Sequence, residues 1–323
     1  MSKSTDYDLT HFTNLYQLLI KGVLEARACS DLTREVAMKA LGSCHELISM
    51  TCKVCSLASV LNLMDLYAPV FRRACPESSG LVNLPRRLTA PEVSLKYYAT
   101  FDVLLSTITH RPMLFRYDLQ LLSAEDEALL HEDDRPGMRW SIGIPARLVV
   151  ALARINSLLE DYGSFVNQDV VQELEREIKA CKPIISFSPG EDPSLAIGRL
   201  MVQESWRLVG YIYLYMGLCG ADTNDARVVK VQKQFMGLLE SVKSRRNPDV
   251  FLVMPMLVMG VATPSTTDQS ILLSRLWGVS ECVKMGTMGN DVIRILNDIW
   301  AHTAGRPTVW SDLRLSCLKV TGM

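Results

Sequence analysis

Residues 251–262, FLVMPMLVMGVA, are apolar all round if they are helical, and a helix with no polar face must be covered on every side. That requirement dictates much of the rest of the chain. Asn247-Pro248-Asp249 precedes the run and places a proline where a first helical N–H would be unsatisfied in any case. A second segment, residues 268–283, follows the hydroxyl-rich Pro264-Ser265-Thr266-Thr267 and carries Ile271, Leu272, Leu276, Trp277 and Val279 at helical spacing. A third starts behind Gly286 and Gly289-Asn290, sets Val292, Ile293, Leu296, Ile299 and Trp300 along one stripe, and stops at Gly305-Arg306-Pro307. Short loops make such neighbours antiparallel, so a buried central helix with two amphipathic helices laid against it is expected. Trp206, Trp277 and Trp300 are expected in one core.

The remaining segments supply the cover. Residues 8–28 form an amphipathic helix, a second helical region runs from Ser30-Asp31 to about Leu66 with a break near residues 53–56, and residues 75–85 read as a loop. Thr89-Ala90-Pro91-Glu92 has capping-box spacing ahead of a helix that Pro112 stops near Thr109. Residues 116–140 lack an apolar stripe and read as a surface excursion. Helices follow over 145–159 and 167–182, the second thinly apolar and hence superficial. Residues 186–192 are the clearest linker and a candidate sub-boundary. Asp192-Pro193 then caps the longest helix, which runs to about Cys219 before Gly220 and would span roughly 40 Å. Residues 226–243 return alongside it. The expectation is an all-α fold, residues 1–323 forming one domain, a single large bundle of about eleven mostly antiparallel helices.

With 34 Lys and Arg against 35 Asp and Glu, the chain has a net charge of -1 and no long block of either sign. That charge argues against direct nucleic-acid binding by these residues. The polar start MSKSTDYDLT lacks a secretory core, and the apolar run at 208–219 is too short for a membrane span, so an intracellular protein without a membrane segment is expected. Nine cysteines at irregular spacing fit reduced thiols acting as small hydrophobes. Cys52 and Cys55 have metal-ligand spacing, but only Cys44 and His45 lie near enough to add ligands within a helical pattern, so packing and no zinc is the reading. No cofactor is expected.

Catalysis has no visible seat. The five histidines, His11, His45, His110, His131 and His302, are dispersed, and no nucleophile triad, phosphate loop or glycine fingerprint is present. Trp206 through Tyr213 is similar to the opening of a tetratricopeptide repeat, but no second copy follows. A helical enzyme of the terpene cyclase type is the alternative: Asn297-Asp298-Ile299-Trp300 begins like the second magnesium motif of that class. However, Ala301 and Gly305 stand where its Ser and Glu belong, and Asp133-Asp134 is followed by Gly137 where a carboxylate is needed. Within the most apolar helix, Glu204 and Arg207 stand three apart, with Arg199 and Gln203 a turn earlier. Buried charge is costly unless paired, so these four either satisfy one another or line a small-molecule pocket.

Several phrases together resemble the fungal-specific transcription factor domain: Ser205-Trp206 through Tyr213-Leu214-Tyr215, the 251–262 run with Pro255 and Gly260, and Asp298-Ile299-Trp300 followed by Trp310-Ser311-Asp312-Leu313. Arg111-Pro112-Met113-Leu114-Phe115-Arg116-Tyr117-Asp118 looks like the version common in mushroom-forming fungi. The resemblance covers residues 90–318. It implies an effector-responsive, transcription-linked regulatory role without enzymatic activity, partners in the transcription machinery, a small-molecule effector and a nuclear location. Family members usually carry an N-terminal zinc cluster with six cysteines in which two Cys-x-x-Cys pairs occur. This sequence has one such pair, so the resemblance implies the regulatory region without its DNA-binding module.

Overall fold

The computed structural model describes residues 9–29, 33–77, 80–121, 123–131, 138–184 and 192–323. The chain enters as α1 (Leu9–Ala28), α2 (Arg34–Leu41), α3 (Cys44–Val54) and α4 (Leu57–Ala74). The break expected near residues 53–56 falls at Cys55-Ser56, and a second break occurs at Gly42-Ser43. Thr33 caps α2, while Ser30-Asp31 lie outside the described residues. Strand β1 (Val82–Asn83) leads directly into α5 (Leu84–Thr89), within a stretch that reads as loop from sequence. The local reason is Asn83, whose side chain accepts from Arg86 N at 3.0 Å while Pro85 occupies the first turn. Thr89 is therefore the end of a helix. Its hydroxyl donates to Pro85 O at 3.1 Å, and it forms no capping box with Glu92.

Next come α6 (Val93–Thr109), β2 (Tyr117–Asp118), α7 (Ala124–His131), α8 (Met138–Ser141), α9 (Ala146–Tyr162) and α10 (Gln168–Ala180). The two strands pair in parallel, Val82 opposite Tyr117, and amount to a two-residue clip. Residues 185–191, most of the expected linker, lie outside the described residues. Asp192 caps α11 (Pro193–Ile212) by accepting from Ser194 N at 2.9 Å, and α11 runs on into a π-helical turn, Tyr213–Leu218. The chain closes with α12 (Ala226–Ser241), α13 (Arg246–Asp249), α14 (Val253–Val261), α15 (Thr266–Trp277), α16 (Ser280–Val283), α17 (Met288–His302) and α18 (Trp310–Thr321). The class is all-α. Its helices are more numerous than the eleven or so expected because segments that read as continuous are interrupted at Gly42, near Asp249 and at Gly278.

The apolar run is enclosed over most of its length: Pro255 through Ala262 are buried, whereas Phe251 is 40% exposed and Val253 and Met254 are half-buried. The helix starts at Val253, so Pro248 belongs to the preceding short α13 and does not open it. Gly260 lets α17 approach closely, since a Cβ there would stand 2.3 Å from Leu296 Cδ2. Trp300 Nε1 donates to Gly260 O at 2.9 Å and locks the same contact. Trp206 is fully buried and Trp300 packs against the core, but Trp277 is 47% exposed. That expectation fails because Leu272 and Leu276 carry the buried stripe of α15, and the next residue points about 100° away at the helix end.

A second helix is as deeply enclosed as α14. Every described residue of α6 from Tyr97 to Thr109 is buried, although five of them are Thr, Ser or Asp. Each finds a local partner: Thr100, Thr107 and Thr109 donate to the carbonyls four residues back, and Ser106 donates to Arg111 O. Asp102 accepts from Leu114 N, Phe115 N and Tyr117 Oη at 2.7, 3.2 and 2.8 Å, fastening the segment after α6 onto it. The apolar core extends from Val23 to Cys317 as one contiguous cluster. The N-terminal helices are joined to the C-terminal ones by polar contacts as well: Asp291 Oδ2 accepts from Leu57 N at 2.9 Å, and Cys55 O accepts from Met288 N at 2.6 Å.

Candidate functional site

Three helices form a groove on one side of α11. On α10, Val171, Leu174 and Ile178 are buried, while Arg154 of α9 holds Glu177 and Glu173 at 2.8 and 2.7 Å. The opposite row of α10, Gln172, Glu175, Arg176 and Lys179, repeats at helical spacing and forms one wall. The floor is Arg207, Tyr211 and Tyr215, at successive intervals of four along α11 and its π turn. Arg227, Lys230, Val231 and Gln234 of α12 form the other wall. The groove is open to solvent and has a volume of about 670 Å³. Gly210 lets α9 and α10 pack closely on α11, since a Cβ there would meet Leu148 Cδ1 at 3.0 Å and Ile178 at 3.4 Å.

The floor is both aromatic and cationic. The Tyr211 and Tyr215 rings stack with centroids 6.0 Å apart. The guanidinium carbon of Arg207 lies 5.6 Å from the Tyr211 centroid and that of Arg227 lies 4.8 Å from the Tyr215 centroid, within cation–π range. Arg207 also donates through Nε to Glu204 Oε2 at 2.8 Å, and Arg227 grips Asp225 through Nη2 at 2.8 Å. The first contact raises the Arg207 pKa, and the second, chiefly through hydrogen bonding, holds the Asp225 carboxyl below its ordinary range. Burial raises both tyrosine pKa values. Arg207 partly offsets this at Tyr211, and the neighbouring Glu175 adds to it at Tyr215. Single π turns inside α-helices occur often at functional sites. Here the turn also seats Tyr213, whose hydroxyl donates to Asn156 Oδ1.

The four residues picked out from sequence divide among three environments. Arg207 lines the groove, and Glu204 backs it as an ion-pair partner. Gln203 is a buried clamp: Oε1 accepts from Ile184 N at 3.0 Å and from Arg139, and Nε2 donates to Ile184 O at 3.3 Å. Arg199 lies over the Trp140 ring at 5.2 Å in a separate cleft of about 220 Å³ with Leu195, Val202 and Phe251. Sequence reading misses Arg176, Lys179, Tyr211, Tyr215, Arg227 and Lys230. The available signal is a basic or aromatic row at helical spacing in each of three segments.

Asp298, the start of the cyclase-like motif, joins α17 to α18 by accepting from Ser316 Oγ at 2.9 Å and from Lys319. Asp133-Asp134 lie outside the described residues. Among the described residues there is no cluster of three or more His, Cys, Asp or Glu arranged to hold a metal, and the Cys52 thiol has its pKa pushed up to about 12 by burial. No described helix is long and apolar enough to cross a membrane.

The family model described as "Fungal specific transcription factor domain" matches residues 73–314. The chain belongs to that family. Its role is accordingly regulatory, in transcription, and the groove lies wholly within the matched region. Neither the curated proteins nor the solved structures gave a match. Helices α1 to α3 precede the matched region and nevertheless contribute Val23, Leu41, Leu47 and Ile48 to the shared core.

Proposed function

We propose that this fungal transcription factor domain is effector-responsive, and that a small molecule held in the groove between α10, α11 and α12 sets its regulatory state. The observation that carries the reading is the groove itself, a cationic and aromatic recess built over the longest helix. Ligand sites combine apolar walls with a few placed polar groups, and a volume of about 670 Å³ suits a small ligand. The same α11 packs against α13 and α14, so a ligand that prefers one packing of α11 would bias the packing of the buried helix α14. In this proposal residues 1–323 act as one unit, work in the nucleus through protein partners of the transcription machinery, and leave DNA contact to another module. The balanced charge supports that last point.

A tethered reporter tests the reading. The chain is fused to a heterologous DNA-binding domain, and reporter output is compared with that of the DNA-binding domain alone across carbon and nitrogen sources. Output that differs from the control and changes with the nutrient supports an effector-responsive regulator. Output equal to the control under every condition contradicts it.

A further inference from the structure

We infer that the ligand of this groove is a small organic dianion with a planar apolar body, its two acidic groups held by Lys179 on one wall and Lys230 on the other. The inference rests on the groove being an effector site and adds the chemistry of the effector. Five cations line the recess, Arg176, Lys179, Arg207, Arg227 and Lys230, against Glu175 alone. Counting Glu204 and Asp225, which pair with Arg207 and Arg227 from outside the lining, cations still outnumber carboxylates five to three.

The cations are not equivalent. Both arginines of the floor and the α12 wall already have carboxylate partners and lie over tyrosine rings, which holds them in place. Lys179 and Lys230 have no ion-pair partner among the described residues and stand on opposite helices, α10 and α12, across the tyrosine floor. An ammonium is a compact charge with three rotatable donors, suited to an incoming carboxylate or phosphate. Between them Tyr211, Tyr215 and Val231 offer apolar surface to the middle of a ligand. Glu175, beside Tyr215, sets a limit: a second acidic group at that point would be repelled, so the charges belong at the two lysine ends.

The purified full chain, titrated calorimetrically with naphthalene-2,6-dicarboxylate, 2-naphthoate and the neutral 2,6-bis(hydroxymethyl)naphthalene, tests this. The dianion should bind one per chain, the monoanion more weakly and the diol not measurably, with affinity falling as salt rises. Lys179→Gln with Lys230→Gln, both at exposed positions and so compatible with folding, should weaken the dianion about tenfold, as two lost exposed ion pairs imply. Absence of saturable dianion binding, equal binding of the diol, or an unchanged affinity in the double variant each overturns the assignment. So does lysine-dependent binding of an Asp/Glu-rich peptide by a chain that ignores the dicarboxylate, which would make the occupant a protein. The two readings fail separately: a nutrient-responsive reporter with no dianion binding removes only the ligand class, and dianion binding with a reporter stuck at the control level removes the regulatory role.

Discussion

Replacing Asp291 with Ala should destabilise the whole molecule by about 1–4 kcal/mol, although the residue takes no part in the groove between α10 and α12. Its Oδ2 accepts from Leu57 N, the first N–H of an 18-residue helix, at 2.9 Å, and both residues are buried. Ser56 satisfies another N–H of that end by accepting from Ser59 N at 3.2 Å, so Asp291 is the partner that comes from a distant part of the chain. Deleting it leaves a buried donor without an acceptor, worth about 1–3 kcal/mol, and removes a negative charge from a helix N-terminus, worth about 0.3–1 kcal/mol. The Arg294 contact at 3.1 Å adds little, because that arginine is 55% exposed. Asp291→Asn keeps an acceptor and loses only the charge, so about 0.3–1 kcal/mol is expected. Urea unfolding followed by circular dichroism gives the totals, and amide exchange at Leu57 gives the local effect. A loss below about 0.5 kcal/mol for Ala, or equal losses for Ala and Asn, would refute the reasoning. A small effect confined to α4 would also remove the support for treating the helices before residue 73 as part of one unit with those after it.

Three further outcomes are expected. Burial raises the Asp102 pKa from 3.8 to about 7, so its stabilising contribution is complete below about pH 4 and is lost as pH rises through about 7; the stability gap between wild type and Asp102→Asn should narrow from about pH 4 to about pH 8, and a gap that widens contradicts this. Gly143→Ala should cost at least about 1–3 kcal/mol in urea unfolding, because φ is +84° and a Cβ would lie 2.2 Å from Val202 Cγ1; an unchanged midpoint would show that the close approach is relaxed. Arg207→Ala should change stability by no more than about 1 kcal/mol, since the pair with Glu204 is partly solvated, yet should reduce dianion affinity in calorimetry; unfolding of the variant would make Arg207 a structural partner only.

Much of the helical plan can be read from residues whose partners are close in sequence. Asp192-Pro193 and Gly220 bracket the long helix because caps act locally, and the enclosure of residues 255–262 follows from their having no polar face. Reading fails where tertiary contacts decide. The polar residues of α6 disguise a fully buried helix, since carbonyls four residues back and the Leu114–Tyr117 backbone and hydroxyl donors satisfy them. Thr89 could cap a helix, but Asn83 and Pro85 start one earlier and leave Thr89 at its end. Gln203 reads as part of a polar group with Arg207, yet it lies one turn, about 6 Å, along the helix, where the Ile184 backbone and Arg139 take up its amide. For the groove, each of its three rows is periodic in the sequence. Their convergence is not, because it depends on α10 and α12 docking on either side of α11.

The most direct measurement of the central claim is the tethered reporter carrying Lys179→Gln and Lys230→Gln together, at protein levels and thermal stability matched to wild type. The groove account predicts that the variant shifts less than wild type under each nutrient that moves wild type, as a loss of affinity of about tenfold requires. A variant that responds as fully as wild type would contradict it, because the two lysines would then take no part in setting the regulatory state of this transcription factor domain.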